Sequence, residues 1–422
     1  MILSDICQYV SEKISVSSLD ENTYISTENM LPNKSGITVA TNLPATEYTP
    51  KYNTDDILIS NIRPYFKKIY KAQKQGGCSA DVLVLRAKQG IIPSFLYYIL
   101  SDDAFFEYAT ATSKGTKMPR GDKIAIMKYK VPNVSPEIQQ KIASILSVLD
   151  HKIELNQRQN NNLEQQAQAL FKSWFVDFEP FGGVMPEDWK VGNLLDIADY
   201  LNGLAMQKFR PTENEIGLPV LKIKELRQGF CDNSSELCSP NVKREYVVDD
   251  GDVIFSWSGS LLVDFWCGGK CGLNQHLFKV TSEKFEKWFY YSWTKHYLNK
   301  FVAVAADKAT TMGHIKRDEL EKAEVVIPSS IDYQKIGKVL SPIYDLIIQN
   351  RIENTRLAAI RDALLPKLMS GEIDVSNVDI SALTSTDKLS FRCRSPPKKY
   401  LIDFPKYLFL IRQIVEFSFG HL

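Results

Sequence analysis

Residues 141–178 read KIASILSVLDHKIELNQRQNNNLEQQAQALFKSWFVDF, and a related stretch, KIGKVLSPIYDLIIQNRIENTRLAAIRDALLPKLMSGE, follows at residues 335–372. The two stretches align without a gap at a constant offset, which indicates an internal duplication. Both carry apolar side chains at alternating steps of four and three residues, the pattern of a helix with one buried face. The repeat therefore predicts two long, related helices, each following a domain of its own.

The matched positions of the two stretches form a heptad seam, which two asparagines interrupt at the same layers of each copy. Two such helices in one chain are expected to pack antiparallel, with facing asparagines that set their register at some cost in stability. The alternative is that each helix merely covers its own domain. The residues predicted to pair are Ile142, Leu146, Leu149, Ile153, Asn156, Asn160 and Leu163 in the first copy, and Ile336, Leu340, Ile343, Ile347, Asn350, Asn354 and Leu357 in the second.

The chain outside these helices predicts two similar mixed α/β domains. β-Rich runs precede an aromatic helical piece in the first part, and the same order of elements returns in the second. The fold class is therefore α+β, with two similar domains separated by two long helices packed as an antiparallel coiled coil of pseudo-twofold symmetry. The predicted segments are a first domain at 1–134, a central helix at 135–178, a second domain at 179–328, a distal helix at 329–375 and an atypical tail at 376–422.

The second helix differs from the first at Pro342, which takes the place of Val148. Proline lacks the backbone N–H that a helix interior needs, so this position predicts a kink or a break. The tail after the second helix has no counterpart in the first half.

Composition is that of an ordinary cytoplasmic protein. A chain of 422 residues exceeds the size of a single core, so two or more domains are expected. Its formal net charge of +1 identifies no partner, although a local basic surface can still follow DNA phosphates. Seven cysteines, an odd number without a secretory leader, predict a reducing compartment. No apolar run approaches the roughly 20 residues that span a membrane.

The motifs of common enzymes are missing from the sequence. It contains no glycine-rich phosphate loop, no dinucleotide fingerprint and no Asn/Asp-Pro-Pro-Tyr/Phe motif of amino-methyltransferases, so we predict a non-catalytic chain without a cofactor. Cys231, Cys238, Cys267 and Cys271 lie near His276, but their spacings do not fit the paired pattern of structural zinc sites. Buried thiols are the better interpretation, and no metal site is predicted.

Local groups of residues favour nucleic-acid binding. Basic residues with interleaved aromatic rings cluster at two places in the first domain, and the matching places of the second carry side chains suited to base edges and phosphates. Each cluster alone also fits a solvated face, and an Asn-Gln-His run also fits simple loop capping. The candidate DNA-binding residues are Arg63, Lys67, Lys68, Lys114, Lys117, Arg120, Ser256, Ser258, Asn274, Gln275, His276, Lys308, Thr311, His314 and Lys316.

Several passages of the duplicated helices resemble a known family. They are QQKIA at 139–143, ILSVLD at 145–150, KIELN at 152–156 and ALFKSWFVDF at 169–178. Together they resemble the central conserved region of type I restriction-modification specificity subunits (HsdS). LLPKLMSGEI at 364–373 is similar to the distal conserved region of that family. With the two intervening domains, the likeness covers residues 1–380 and leaves out the tail.

The resemblance implies a non-catalytic, sequence-specific DNA reader. In that family each of two target-recognition domains binds one half of a bipartite DNA site, and the paired helices set the unread spacer. Two modification (methyltransferase) subunits and two restriction (motor-nuclease) subunits are the implied partners, besides double-stranded DNA. S-adenosylmethionine, ATP and Mg²⁺ would belong to those subunits. The alternatives are a stand-alone DNA-binding scaffold or repressor, and a fused DNA methyltransferase with an unrecognised active site.

Overall fold

The computed structural model describes residues 1–307 and 315–380 of the chain. These residues form two compact units. Unit 1 contains Met1–Asp150 and the described residues from Ile360 onward, and unit 2 contains the described residues of His151–Ala359. Residues 381–422 of the predicted tail lie outside the described residues. None of the described helices is both long and apolar enough to cross a lipid bilayer.

Unit 1 combines two four-stranded sheets with short helices. Its elements before the first long helix are α1 (Leu3–Ile6), β1 (Cys7–Tyr9), β2 (Lys13–Ser15), β3 (Tyr24–Ile25), β4 (Tyr48–Tyr52), β5 (Ile57–Ser60), β6 (Ile69–Lys71), β7 (Gly76–Cys78), β8 (Val82–Ala87), α2 (Pro93–Ser101), α3 (Asp103–Ala111) and α4 (Lys123–Ile126). The first sheet has the order β1-β8-β5-β6 and is antiparallel throughout. The second has the order β2-β4-β7-β3, in which β3 and β7 run parallel.

The chain after α5 (Pro136–Phe175), most of which belongs to unit 2, repeats this plan. Its elements are β9 (Lys190–Asn193), α6 (Leu194–Ile197), β10 (Asp199–Asn202), β11 (Leu218–Leu221), α7 (Ile223–Gln228), β12 (Leu237–Cys238), β13 (Val247–Val248), β14 (Val253–Ser256), β15 (Leu262–Phe265), β16 (Cys271–Leu273), β17 (Leu277–Thr281), α8 (Lys287–Asp307), α9 (Arg317–Glu321), β18 (Glu324–Ile327) and α10 (Ser330–Ser370). Its four-stranded sheets have the orders β10-β17-β14-β15 and β12-β11-β16-β13, and β9 pairs with β18.

The two units share one framework and differ at its edge. The sheet β1-β8-β5-β6 corresponds strand by strand to β10-β17-β14-β15. In the second sheets, β4-β7-β3 corresponds to β13-β16-β11, with the same parallel and antiparallel pairings. The fourth strand lies on opposite edges, because β2 pairs with β4 whereas β12 pairs with β11. The predicted pair of similar mixed α/β domains is confirmed.

Both predicted long helices are present. Ser135 caps α5, since its Oγ accepts a hydrogen bond from the backbone N–H of Ile138 at 3.4 Å, and Pro136 takes the first helical position. α10 continues without interruption through Pro342, so the helix does not break there. Pro342 leaves the carbonyl of Lys338 without its helical donor. Both residues are exposed, so water can bond that carbonyl.

The helices pair antiparallel through the predicted asparagines. In unit 2, Asn156 Nδ2 donates to Asn354 Oδ1 at 2.8 Å, and Asn350 Nδ2 donates to Asn160 Oδ1 at 2.8 Å. Residue numbers rise along one helix as they fall along the other, which is the antiparallel arrangement. Asn160 Nδ2 also donates to the carbonyl of Ile347 at 3.2 Å. Every predicted seam residue is buried or half-buried.

α10 also closes the core of the domain that it follows, so the alternative interpretation holds in part. The core of unit 2 includes Ile336 and Leu340 of α10 together with Trp288 of α8. Tyr333 of α10 stacks on Trp288 at 5.2 Å between ring centroids. Phe171 of α5 meets Trp293 edge to face. The apolar faces are therefore shared between helix pairing and domain packing.

Equivalent hydrogen bonds attach the start of each long helix to its domain. In unit 1 the backbone N–H of Ile92, just before α2, donates to Gln139 Oε1 of α5 at 3.0 Å. In unit 2 the backbone N–H of Glu286, just before α8, donates to the Tyr333 hydroxyl of α10 at 2.7 Å. The residue numbers of Glu286 and Tyr333 exceed those of Ile92 and Gln139 by the same offset that relates the two duplicated helices. The duplicated region therefore includes the contact between helix and domain.

We expect Asn350→Ala to destabilise unit 2 by about 1–3 kcal/mol, because Asn160 would lose its amide partner in a buried seam. All tryptophans of the chain lie in unit 2, so the urea dependence of tryptophan fluorescence measures this unit. The exposed Gln157→Ala of α5 is the control and should stay within about 0.5 kcal/mol of the parent. Replacing both Asn160 and Asn350 by leucine should recover most of the loss. Equal stabilities of Asn350→Ala and the control would contradict the role of the pair.

Candidate nucleic-acid interface

The structure brings together the two basic clusters predicted in the first domain. The loop after β5 and the segment before α4 form a backbone bridge between Ile62 and Arg120. The N–H of Arg63 donates to the carbonyl of Pro119 at 2.7 Å. A Cβ at Gly121 would lie 2.9 Å from Asn61 Oδ1, so glycine permits this close approach. Residues 63–68 and 114–120 therefore form one surface, which we call the basic loop surface.

The loop at 61–68 has an unusual backbone. Arg63 and Lys67 adopt left-handed conformations, with φ of 50° and 51°, on either side of the 3₁₀ turn Pro64–Phe66. Pro64 is buried, whereas Tyr65 and Phe66 are 47% and 39% exposed. The turn thus holds two aromatic rings toward solvent between basic residues.

Most cations of this surface already have partners. Lys67 Nζ lies 2.9 Å from Asp103 Oδ2, and Lys68 Nζ donates to the carbonyl of Thr27 at 2.6 Å. Partial burial lowers the pKa of Lys68. The ammonium groups of Lys67 and Lys68 are therefore already bonded within the protein.

The remaining pairs are near the surface. Lys114 Nζ lies 2.6 Å from Asp122 Oδ2, with the lysine side chain 81% exposed, and Arg120 pairs with Asp81 at 3.1 Å. The hydrogen bond from Lys114, with two backbone N–H groups of α4, lowers the pKa of Asp122 to about 2. Such exposed pairs contribute little stability, so Lys114 and Arg120 can exchange partners readily.

In unit 2 the described candidates divide into loop-holding and accessible residues. Ser256 is fully buried, and its Oγ donates to the carbonyl of Ser260 at 2.9 Å. Asn274 is buried and accepts the backbone N–H of His276 at 3.2 Å, which is the capping role considered from the sequence. The exposed His276 forms a hydrogen bond through Nδ1 with Ser258 Oγ at 3.1 Å. Ser256 and Asn274 therefore shape the loop that presents the imidazole.

Other candidates of unit 2 lie around that imidazole or outside the described residues. Gln275 Nε2 is 3.2 Å from His276 Nε2. Lys316 is exposed at the N-cap position of α9. Lys308, Thr311 and His314 fall within 308–314, which lies outside the described residues. Across the described ranges, no three His, Cys, Asp or Glu side chains gather in a way that could hold a metal ion.

Sequence reasoning did not connect one further loop with the basic loop surface. The backbone N–H groups of Asn33 and Lys34 donate to the carbonyls of Phe66 and Lys67 at 2.8 and 2.9 Å. The run Pro-Asn-Lys-Ser-Gly at 32–36 signals a turn, but no local pattern predicts its position against a loop thirty residues later. Trp257 was also missed, although its ring lies 6.1 Å from that of His276.

Comparison with known proteins identifies the class to which this framework belongs. The family described as type I restriction modification DNA specificity domain matches residues 1–165 and again residues 186–361. The chain therefore belongs to this family and carries two DNA-recognition domains. It supplies DNA specificity to a type I restriction-modification system and is not itself the catalyst, which confirms the functional prediction.

Two relatives by sequence agree with this assignment. The chain is 30% identical to the type I restriction enzyme MjaIX specificity subunit of Methanocaldococcus jannaschii, over 69% of this chain and 71% of that protein. It is 24% identical to the HindI specificity subunit of Haemophilus influenzae, over 88% of this chain and 98% of that protein. Among solved structures, the type I restriction-modification S subunit from M. genitalium is 15% identical, with a TM-score of 0.49 over 87% of this chain and 95% of that one.

We expect Lys117→Ala to weaken binding to all DNA duplexes alike and to reduce the slope of log affinity against log salt by about 1. The reason is that the exposed ammonium of Lys117 has no internal partner among the described residues. Lys67→Ala should have a smaller effect, since Asp103 already neutralises that ammonium. Fluorescence anisotropy across a salt series measures both slopes. Lys13→Ala, which removes an exposed lysine of β2, is the charge-matched control. Equal slopes for Lys117→Ala and Lys13→Ala would exclude Lys117 from phosphate contact.

Proposed function

We propose that each unit of this chain reads one half of a bipartite DNA site. The observation that supports this is a shared sheet framework with unlike loops at equivalent places. The loop after β5 comprises residues 61–68 and carries basic and aromatic side chains, whereas the loop after β14 comprises residues 257–261 and lies against His276. Since bases are read by side chains in loops and grooves, different loops on one framework suit two different half-sites.

Phosphate and base contacts are assigned to different residues in this proposal. Lys114, Lys117 and Arg120 are exposed and would set affinity and orientation through phosphates. In unit 2, Gln275 and His276 are accessible and would contact base edges, with Ser258 orienting the imidazole. Lys308, Thr311, His314 and Lys316 remain candidates for the same half-site.

The paired helices would hold each recognition domain in a defined orientation and set the unread spacer of the site. In unit 2, Arg351 of α10 bonds Glu164 of α5 at 2.7 Å and Asp264 of β15 at 2.6 Å. In unit 1, Arg361 of α10 bonds Asp150 of α5 at 2.7 Å, and Asp150 also accepts the Tyr98 hydroxyl of α2 at 2.7 Å. These largely buried, charge-assisted contacts tie helix to helix and helix to domain.

The chain would act within a larger complex. We propose two modification subunits and two restriction subunits as its partners, with S-adenosylmethionine, ATP and Mg²⁺ bound by those subunits. Adenine methylation and ATP-driven cleavage would then take place on the partners, in the cytoplasm. The lack of enzyme motifs in the sequence agrees with this division of labour.

We expect replacement of residues 1–134 by the first domain of another family member to change one half of the methylated sequence, because each domain reads separately. The methylome of cells that express the hybrid with its modification subunit measures this result. The reciprocal exchange of residues 179–328 is the matched control and should change the other half. A methylome in which either exchange alters both halves would contradict separate reading.

A further inference from the structure

The loop at 61–68 belongs to a cluster of strained backbone positions. Among the described residues, six that are not glycine have positive φ, and Asn33, Lys34, Arg63 and Lys67 are four of them. Their two loops are joined by hydrogen bonds from Asn33 and Lys34 to Phe66 and Lys67. Left-handed conformations cost free energy for residues with a Cβ, and they persist at functional sites where neighbouring structure enforces them.

Unit 2 shows that this backbone does not require arginine. Ser60 Oγ donates to the carbonyl two residues ahead at 3.1 Å, and Ser256 Oγ donates likewise at 3.3 Å, so the loops start in the same way. The next residue is Arg63 in unit 1 and Gly259 in unit 2, and φ of Gly259 is +65°. Glycine adopts this conformation without strain. Arginine at this position therefore makes the fold less stable than glycine would. This cost indicates that the arginine side chain has a function.

The side chain of Arg63 is half-buried and lacks an internal partner at Nε. This Nε is buried and has no hydrogen-bond acceptor among the described residues. By contrast, Lys67, Lys68, Lys114 and Arg120 all have internal partners. A buried N–H without an acceptor costs free energy, so no internal hydrogen bond at Nε accounts for an arginine at this place.

The neighbouring rings are exposed on a turn whose backbone is anchored. Tyr65 and Phe66 lie 4.8 Å apart between ring centroids, on a turn that the buried Pro64 anchors. The carbonyl of Phe66 is fixed by the N–H of Asn33 at 2.8 Å. A turn whose backbone is already ordered loses little entropy on binding. An arginine followed by two exposed aromatic rings on one turn suits a DNA groove, where a guanidinium meets guanine and apolar groups meet thymine methyls or base faces.

We propose that Arg63 is the specificity-determining residue of the half-site read by unit 1, with Tyr65 and Phe66 packed against the adjoining bases. The guanidinium of Arg63 donates hydrogen bonds to O6 and N7 of a guanine, which is the commonest specific base contact of arginine. The inference rests on the proposed bipartite reading and adds to it a named residue and a base. The proposed contact requires a guanine on one of the two strands of the half-site read by unit 1. That half-site is the one that changes when residues 1–134 are exchanged.

The decisive variant is Arg63→Gly, which removes the side chain while keeping a residue that fits the left-handed backbone. The full chain is purified with its modification subunit, and its affinity is measured for a duplex that carries the site defined by the methylome. The measurement is repeated with duplexes in which one base pair of either half-site is replaced at a time. The variant should melt at or above the parent temperature. It should lose about 5- to 150-fold in affinity for the intact site and no longer distinguish the substituted guanine, while discrimination in the other half stays unchanged.

Arg63→Lys separates base reading from charge. Lysine keeps the cation but not the planar fork that pairs with two acceptors of guanine. It should lose discrimination at the same base pair while retaining more affinity than Arg63→Gly. An equal loss of affinity on every duplex would identify Arg63 as a phosphate contact and overturn the proposal. Unaltered discrimination between duplexes in Arg63→Gly would also overturn it. If the parent complex yields no bipartite methylome, the proposed function fails instead.

The aromatic pair has its own test. Tyr65→Ala together with Phe66→Ala should reduce affinity for the intact site and relax preference only at base pairs next to the guanine. Tyr48→Ala, which removes a 55% exposed ring from β4, is the matched control and should bind as the parent does. Relaxed preference in the other half, or an effect equal to that of the control, would remove the rings from the proposed contact.

Discussion

The structure depends on a buried amide ladder in the antiparallel helix pair. Asn156 donates a hydrogen bond to Asn354, and Asn350 donates one to Asn160, where a heptad seam would otherwise be apolar. Because a buried amide without a partner costs more than the bond gains, any other register would be penalised. The ladder thus selects one alignment of the helices within unit 2, where the Tyr333 hydroxyl also bonds α10 to the start of α8. Within unit 1, Gln139 bonds α5 to the start of α2 at the equivalent place.

Contacts near the long helices are repeated in the two units, whereas the loops differ. Contacts near the helices repeat in position while their chemistry changes: Tyr98 donates to Asp150 in unit 1, and at the same offset Ser292 meets the Tyr344 hydroxyl at 3.0 Å in unit 2. Each pair stays satisfied, since an unpaired buried hydroxyl would destabilise the interface. The loops have no such constraint from the core, so they differ in length, charge and backbone, as two DNA readers require.

Charge alone is a poor guide to the interface of this protein. The sequence places six basic residues in two clusters, and folding gives four of them internal partners. What separates Arg63 from the other five is the combination of a left-handed backbone with a buried Nε that has no acceptor, not the sign of its charge. An arginine whose backbone is fixed and whose side chain is not used internally is suited to specificity, whereas an exposed lysine is suited to phosphates.

The helices, their seam, their asparagine layers and the duplicated order of strands can all be read from the amino-acid sequence, because periodicity and repetition are local patterns. Other features arise from contacts between distant segments. Residues 32–36 meet residues 66–67, Ile62 meets Arg120, and α10 stays continuous through Pro342 because Lys338 faces water. Which cations remain unpaired also depends on those contacts, since hydrogen-bond partners far apart in the chain leave no local pattern. Identity and architecture therefore follow from the sequence, and the ranking of DNA-reading residues follows from the folded chain.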